Sequence, residues 1–351
     1  MAGSRPPAGE FFNRGEFMKA LLAIAPGMLR LSELDIPAPG DYDALVRLEA
    51  CAICNSTDHK LMRHDLFPGP LPIALGHESI GTVTVVGQKV ANYKPGDRVF
   101  RQRLADAHVP GGCSRWGGFA QYGLVTDEWE RQGVPYGPEP LPHDQQKLLI
   151  DVPPARATAM VTLMETLDCA VACGVVTGIS FAVVGSGPVG QAFAMFAKLL
   201  GASPVFAFGR NPARAERFAA VSRCDGYVAG VDFPAEVRRI VAAGGFDIVL
   251  EAVGSPEALD TALELSGENG RVCVYGVPPE SSPYREEQLA RPNVTRVGAR
   301  EGRAQAALVE MIENGGVRLE DWVSHILPLA EYEQAFELVT LHKADKVVLI
   351  P

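Results

Sequence analysis

Two patterns of apolar residues divide this chain. From Met18 to about Val152 the apolar runs are short and broken by glycine and proline, as in Ala44–Leu48, Gly81–Val86, Arg98–Phe100 and Phe119–Leu124. Runs of this kind predict a β-rich region of short strands. Lys94-Pro95-Gly96-Asp97-Arg98-Val99 predicts a turn feeding a strand, with proline presetting φ and glycine making the bend. Thr126–Gln146 is polar, rich in proline and glycine, and is expected to be a surface loop, with Trp129 and Tyr136 as possible pocket residues or simple packing.

From about Ala155 the period changes. Ala157–Val171 predicts a helix, Phe181–Val184 a buried strand, and Val189–Leu200 a helix with Val189, Phe193, Phe196, Ala197 and Leu200 on one face. Strand Val205–Phe208, a helix around Ala213–Val221, strand Phe246–Leu250, helix Pro256–Leu265 and strand Arg271–Val277 follow. Alternating strand and helix predicts a doubly wound parallel sheet covered on both faces, so the expected class is α/β with a second, β-rich domain. After about Val297 a helix over Arg303–Ile312 and the run Lys346–Ile350 return to the first pattern. The expected division is 18–155 with 298–351 for the β-rich domain and 156–297 for the parallel-sheet domain. Residues 1–17 are expected to be a leader or expression scar.

The length of 351 residues agrees with two domains. Net charge is −10 and the acidic excess is spread out. No basic stripe is present, which argues against nucleic acid as a partner. The seven cysteines are odd in number and scattered, which points to a reducing compartment and a cytoplasmic location. Cys169–Ala197 carries no charge, but glycines and Pro188 interrupt it and basic flanks are missing, so no membrane span is expected.

Val184-Gly185-Ser186-Gly187-Pro188-Val189-Gly190 lies between a predicted strand and a predicted helix. That context makes it a cradle for a dinucleotide pyrophosphate. Gly185 permits the turn, Gly187 the approach of the pyrophosphate, and Gly190 close packing of helix on strand, with the helix N-terminus facing the phosphate charge. Ser186, Pro188 and Val189 belong to the same turn, and Val277 ends a later strand. At the end of the next strand, where a ribose-binding carboxylate is usual, the chain has Phe208-Gly209-Arg210-Asn211-Pro212, with Arg214 beyond. Gly209 keeps the backbone close; Arg210 can pair with a 2′-phosphate and Arg214 can assist. NADP(H) is therefore favoured over NAD(H). The alternative is a solvated Arg210 with NAD still accepted.

Cys54, His77 and Glu78 precede this cradle. Ala52-Ile53-Cys54, Gly76-His77-Glu78, Lys94–Val99, Gly117-Gly118-Phe119-Ala120-Gln121-Tyr122, the glycine signature, Asp247–Gly254 and Lys346–Pro351 occur in that order. Together they resemble the zinc-dependent medium-chain dehydrogenases, the alcohol and polyol dehydrogenase superfamily, from about residue 18 to the C-terminus. The resemblance implies a GroES-like catalytic domain beside a Rossmann domain. It implies one catalytic zinc held by Cys54, His77 and Glu165, with Glu78 near the metal, and a proton relay through Ser56 and His59. Glu165 sits among Met160, Met164 and Leu167, where a carboxylate is costly to bury unless paired or metal-bound. Asp168 is a rival for its place. The family's aspartate three residues after the cysteine is Thr57 here, and Asp58 follows, which leaves the support of the zinc-bound histidine and the register of the relay open. Residues 100–118 offer Cys113 alone, so no structural zinc is expected.

The expected activity is NADP(H)-linked oxidation of an alcohol or reduction of a ketone, with zinc as Lewis acid on the substrate oxygen. A secondary alcohol, polyol or cyclitol is the expected small-molecule substrate, and a homodimer or homotetramer the expected assembly. The alternatives are a zinc-free ene or quinone reductase of the same superfamily and a non-catalytic nucleotide-binding protein.

Overall fold

The computed structural model describes residues 16–137, 145–230, 233–298 and 300–351. Two compact units emerge, one from Met1–Val161, Glu301–Ile312 and Val317–Pro351, the other from Thr162–Arg300 and Glu313–Gly316.

The first unit is built from two sheets. The smaller one orders strands Met28–Asp35, Phe17–Ala25, Ile73–Ala74 and Cys113–Ser114. The larger one centres on Asp43–Ala52, whose apolar residues are buried along most of its length. One edge of this strand pairs antiparallel with Glu78–Val86. Its other edge is shared between two partners. Asp43–Arg47 pairs with strand Tyr122–Thr126, and Cys51–Ala52 pairs with strand Val347–Ile350, which itself lies parallel to His325–Pro328. Leu21, Ile53, Leu75, Phe119, Phe336 and Val347 belong to one buried cluster of this unit.

Three expectations for this region change. The strand expected at Phe119–Leu124 begins at Tyr122 and runs to Thr126; Gly117, at φ +97°, lies in the irregular stretch before it. The expected loop from Thr126 contains a short helix, Glu128–Gln132, whose N-cap Asp127 accepts from the Glu130 N–H. Trp129 of that helix is fully buried against Tyr93 and Tyr136, so both loop aromatics pack the core. Residues 138–144 of the expected loop lie outside the described residues, as do 1–15 of the expected leader.

The second unit is a parallel sheet. Its strands, in spatial order, are Gly226–Val228, Val205–Phe208, Phe181–Val184, Ile248–Glu251, Arg271–Val274 and Val294–Arg296. Counted along the chain this is the order 3-2-1-4-5-6. The chain therefore reverses direction across the sheet between Phe181–Val184 and Ile248–Glu251, and ligands of open α/β sheets bind beyond the carboxyl ends at such a point. Helix Pro188–Leu199 follows the first strand, with Phe193 and Phe196 buried. Helix Phe233–Ala242, which is amphipathic and buries Val237 and Ile240, and the two edge strands are elements that the expectations from sequence omit. Among the described residues no helix is long and apolar enough to cross a membrane.

Candidate functional site

Strand register places the candidate ligands of the first unit. Ala52 is opposite Glu78 and Cys51 opposite Ser79 in an antiparallel pair. Cys54 therefore lies just past the end of one strand, and His77 just before the start of its neighbour. Gly76 has φ +97°, and a Cβ there would come within 2.7 Å of the Phe119 amide nitrogen. Glycine is thus required immediately before His77. The Phe119 N–H donates to Leu75 O at 3.0 Å and the Gly118 N–H to Gly76 O at 2.8 Å, which fixes the approach of the histidine.

One ligand atom each from Cys54, His77 and Glu78 lies within 4.8 Å of the others. In a tetrahedral zinc site, sulfur and nitrogen ligands sit roughly 3.5 Å apart, so small side-chain rotations close the set around an ion. His77 and Glu78 are buried and Cys54 partly so. A soft thiolate, an imidazole and a carboxylate are the donors of a catalytic zinc site. The residues present fit that metal.

Asp58 settles the position left open by Thr57. Its Oδ1 is 3.5 Å from His77 Nδ1, and its Oδ2 accepts from the Cys54 backbone N–H at 2.8 Å. Fully buried, Asp58 thus braces both the histidine and the cysteine loop. Nδ1 faces this carboxylate, so the other ring nitrogen is left for the cluster. His77 Nδ1 and Asp58 Oδ1 are the unsatisfied buried atoms here, and a modest closure would join them. Burial pulls the His77 pKa down, yet the Asp58 carboxylate and the Cys54 sulfur outweigh it and push it well above the usual histidine value.

Glu78 has a buried cation beside it. Lys346 Nζ pairs with Glu78 Oε2, and both side chains are almost wholly inaccessible. Strand Val347–Ile350 delivers the lysine: the Ile53 N–H donates to Val347 O at 2.9 Å, so Lys346 lies beside the end of the cysteine strand. The reading from sequence missed this pair, whose partners are 268 residues apart. Trp116 was also missed. Its ring centroid is 5.0 Å from that of His77, tilted by 44°.

The expected relay residues occupy separate surroundings. Ser56 is exposed and its Oγ accepts from Lys60 Nζ at 2.8 Å. His59 is buried, its ring 5.6 Å from Phe336, with Nε2 3.5 Å from Thr340 Oγ1. Burial lowers its pKa, against the opposing pull of Asp58. Among the described residues no hydrogen bond joins Ser56 to His59.

Glu165 lies in the second unit on helix Pro154–Ala172, half-buried. Its Oε2 accepts from Tyr275 Oη at 2.8 Å, and the Tyr275 ring meets Phe193 edge-on. Its rival Asp168 accepts from the Arg300 N–H through Oδ2, also at 2.8 Å.

The glycine turn of this unit lies at the carboxyl end of Phe181–Val184. Gly185 has φ +139°, and a Cβ on Gly190 would fall 1.9 Å from Gly185 O, so both positions need glycine. Around Gly187, by contrast, no atom lies within 4 Å of a built Cβ. Gly187 caps helix Pro188–Leu199 with Pro188 as its first residue, which leaves open space before the helix N-terminus. Arg214 Nη1 donates to Ser186 O at 2.9 Å and braces the turn. Gly209 packs against Ser186, where a Cβ would come within 2.7 Å of the serine Cβ. Arg210 is exposed, and among the described residues it makes no hydrogen bond or ion pair. Val277 is exposed, and its backbone abuts Gly254. Glu251, at the end of its strand, is fully buried and accepts from the Val253 and Gly254 N–H groups at 2.8 and 2.7 Å.

Residues 40–134 match the alcohol dehydrogenase GroES-like domain, and residues 188–314 match the zinc-binding dehydrogenase family. An uncharacterized zinc-type alcohol dehydrogenase-like protein of Escherichia coli is 27% identical, covering 93% of this chain and 96% of its own. An L-threonine 3-dehydrogenase of Paraburkholderia phytofirmans is 28% identical, covering 95% and 98%. The solved structure of an alcohol dehydrogenase from Thermus sp. ATN1 superposes with a TM-score of 0.74 at 28% identity, covering 95% of this chain and 99% of that one.

Proposed function

We propose that this chain, which belongs to the zinc-dependent medium-chain dehydrogenase superfamily, is a zinc-dependent alcohol dehydrogenase working with NADP(H) on a secondary alcohol, polyol or cyclitol. The observation that carries the proposal is the convergence of Cys54, His77 and Glu78 to within 4.8 Å. Cys54 and His77 would hold the ion, with Glu165 as the third protein ligand and Glu78 as their neighbour. Bound zinc would supply Lewis-acid polarisation of the substrate oxygen, and the nicotinamide would exchange hydride with the carbinol carbon. Asp58 keeps His77 in the tautomer that leaves its outer nitrogen free for metal. Ser56 and His59 carry the alcohol proton toward solvent, and the lowered pKa of His59 suits it to release that proton near neutrality.

Support for NADP(H) comes from the strand end at Phe208. No carboxylate follows it, and the exposed guanidinium of Arg210 is available to a 2′-phosphate. All seven cysteines are free thiols, which supports a cytoplasmic location. A homodimer or homotetramer is the assembly we propose.

The test is a Cys54→Ser variant measured for zinc content, coenzyme affinity and turnover. We expect about one zinc per chain in the parent and loss of it in the variant. Turnover should fall about a thousandfold, equivalent to ~4 kcal/mol, with coenzyme affinity unchanged. Full carbonyl reduction by the metal-free variant would favour a zinc-free reductase. Coenzyme binding without turnover of any alcohol or carbonyl would favour a non-catalytic protein.

A further inference from the structure

We propose that Trp116 is a specificity-determining residue that selects alcohols whose carbinol carbon lies in a ring over open-chain alcohols. The proposal rests on the reading of Cys54 and His77 as ligands of the metal that receives the substrate oxygen.

Three observations carry it. The Trp116 ring is 5.0 Å from the His77 ring. Trp116 also packs against the buried cluster of the first unit, and on this proposal its indole would border a group held on an ion beside His77. Part of Trp116 stays exposed, whereas the other two tryptophans, Trp129 and Trp322, are fully buried. Its backbone has φ +74°, the left-handed region that bulky residues rarely adopt. Glycine would suit that position better, and two glycines follow it directly. The surroundings hold the conformation: the Leu104 N–H donates to Trp116 O at 2.7 Å, and Ser114 Oγ donates to the same oxygen at 3.1 Å. A strained aromatic residue beside a candidate metal ligand is the kind of outlier that accompanies function.

The chemistry of selection is simple. An indole offers a broad, flat, apolar face with one N–H at its edge. A six-membered ring presents a preformed face of C–H bonds to such a surface. An open chain of equal carbon count must freeze several torsions to make the same contact. The discrimination therefore falls on binding, in KM more than in kcat, for polyols and simple alcohols alike.

Two matched pairs test this: cyclohexanol against 2-hexanol, and myo-inositol against sorbitol. In the parent enzyme we expect the ring member of at least one pair to have about a five- to tenfold higher kcat/KM, most of it from KM. Trp116→Phe should keep most of that ratio, and Trp116→Leu should bring it near unity. Zinc content and coenzyme affinity should stay at the parent level in both. A loss of thermal stability in Trp116→Leu with an unchanged ratio would overturn the proposal by showing a purely structural role. A second measurement needs no turnover. Acrylamide quenching of tryptophan fluorescence in the zinc-loaded protein should be reduced by the preferred ring alcohol and not by its open-chain partner, and Trp116→Phe should lack this protection. Equal protection by both, or none by either, overturns the assignment. Protection without turnover would leave the role of Trp116 intact and refute the dehydrogenase reading; turnover with no ring preference would do the reverse.

Discussion

In the first unit the candidate ligands are side chains brought together by strand register, two of them with a buried counterpart: Asp58 for His77, Lys346 for Glu78. In the second unit the glycine turn proposed as the coenzyme cradle is backbone, shaped by what Gly185, Gly187 and Gly190 lack. The difference sets how each region fails. A side-chain cluster tolerates local backbone change but not the loss of a partner, because an uncompensated buried charge is costly. A glycine turn has no partners to lose, but a single methyl group fills the space it depends on.

The sharpest way to break the comparison is Lys346→Met. It leaves Glu78 buried without its cation, and the expected cost is about 3–5 kcal/mol of folding stability, read from urea unfolding of the metal-free protein. A loss below ~1 kcal/mol would mean that Glu78 does not depend on its partner. Gly190→Ala probes the other region. The added Cβ meets Gly185 O at 1.9 Å, so stability should fall by about 1–3 kcal/mol and coenzyme affinity should weaken, while zinc content is retained. Loss of zinc together with coenzyme would show that the two regions are not independent. The smallest effect is expected for Arg210→Ser. NADPH affinity should drop about tenfold, ~1.4 kcal/mol, with NADH affinity unchanged, as measured by fluorescence titration. An equal loss for both coenzymes would remove the guanidinium from phosphate recognition.

The same contrast explains what the sequence discloses. Phe181–Val184, Val205–Phe208 and Pro256–Leu265 were predicted with their observed bounds, because each is a dense apolar run closed by glycine or proline. The glycine turn between strand Phe181–Val184 and helix Pro188–Leu199 was equally legible, since its information is local. Strands Gly226–Val228 and Val294–Arg296 lie at the sheet edges, where half-exposed residues blur the period. Asp58 could be seen but not assigned, because a carboxylate four residues after Cys54 finds its place only once the short helix Thr57–Met62 forms. The Lys346–Glu78 pair and the Tyr275–Glu165 bond depend on distant segments meeting, which no spacing rule records. Trp116 carried one faint local sign, a bulky residue ahead of two glycines in a turn.

The strand at Val347–Ile350 gives the candidate metal cluster a place in time. As the chain leaves the ribosome, Cys54, His77 and Glu78 emerge before Lys346, which follows Glu78 by 268 residues. At about 5–20 residues per second that delay is roughly 13–54 s. During this interval the edge at Cys51–Ala52 lacks strand Val347–Ile350 and Glu78 lacks Lys346. The nascent protein must therefore hold an unfinished thiol-bearing pocket until Lys346 arrives.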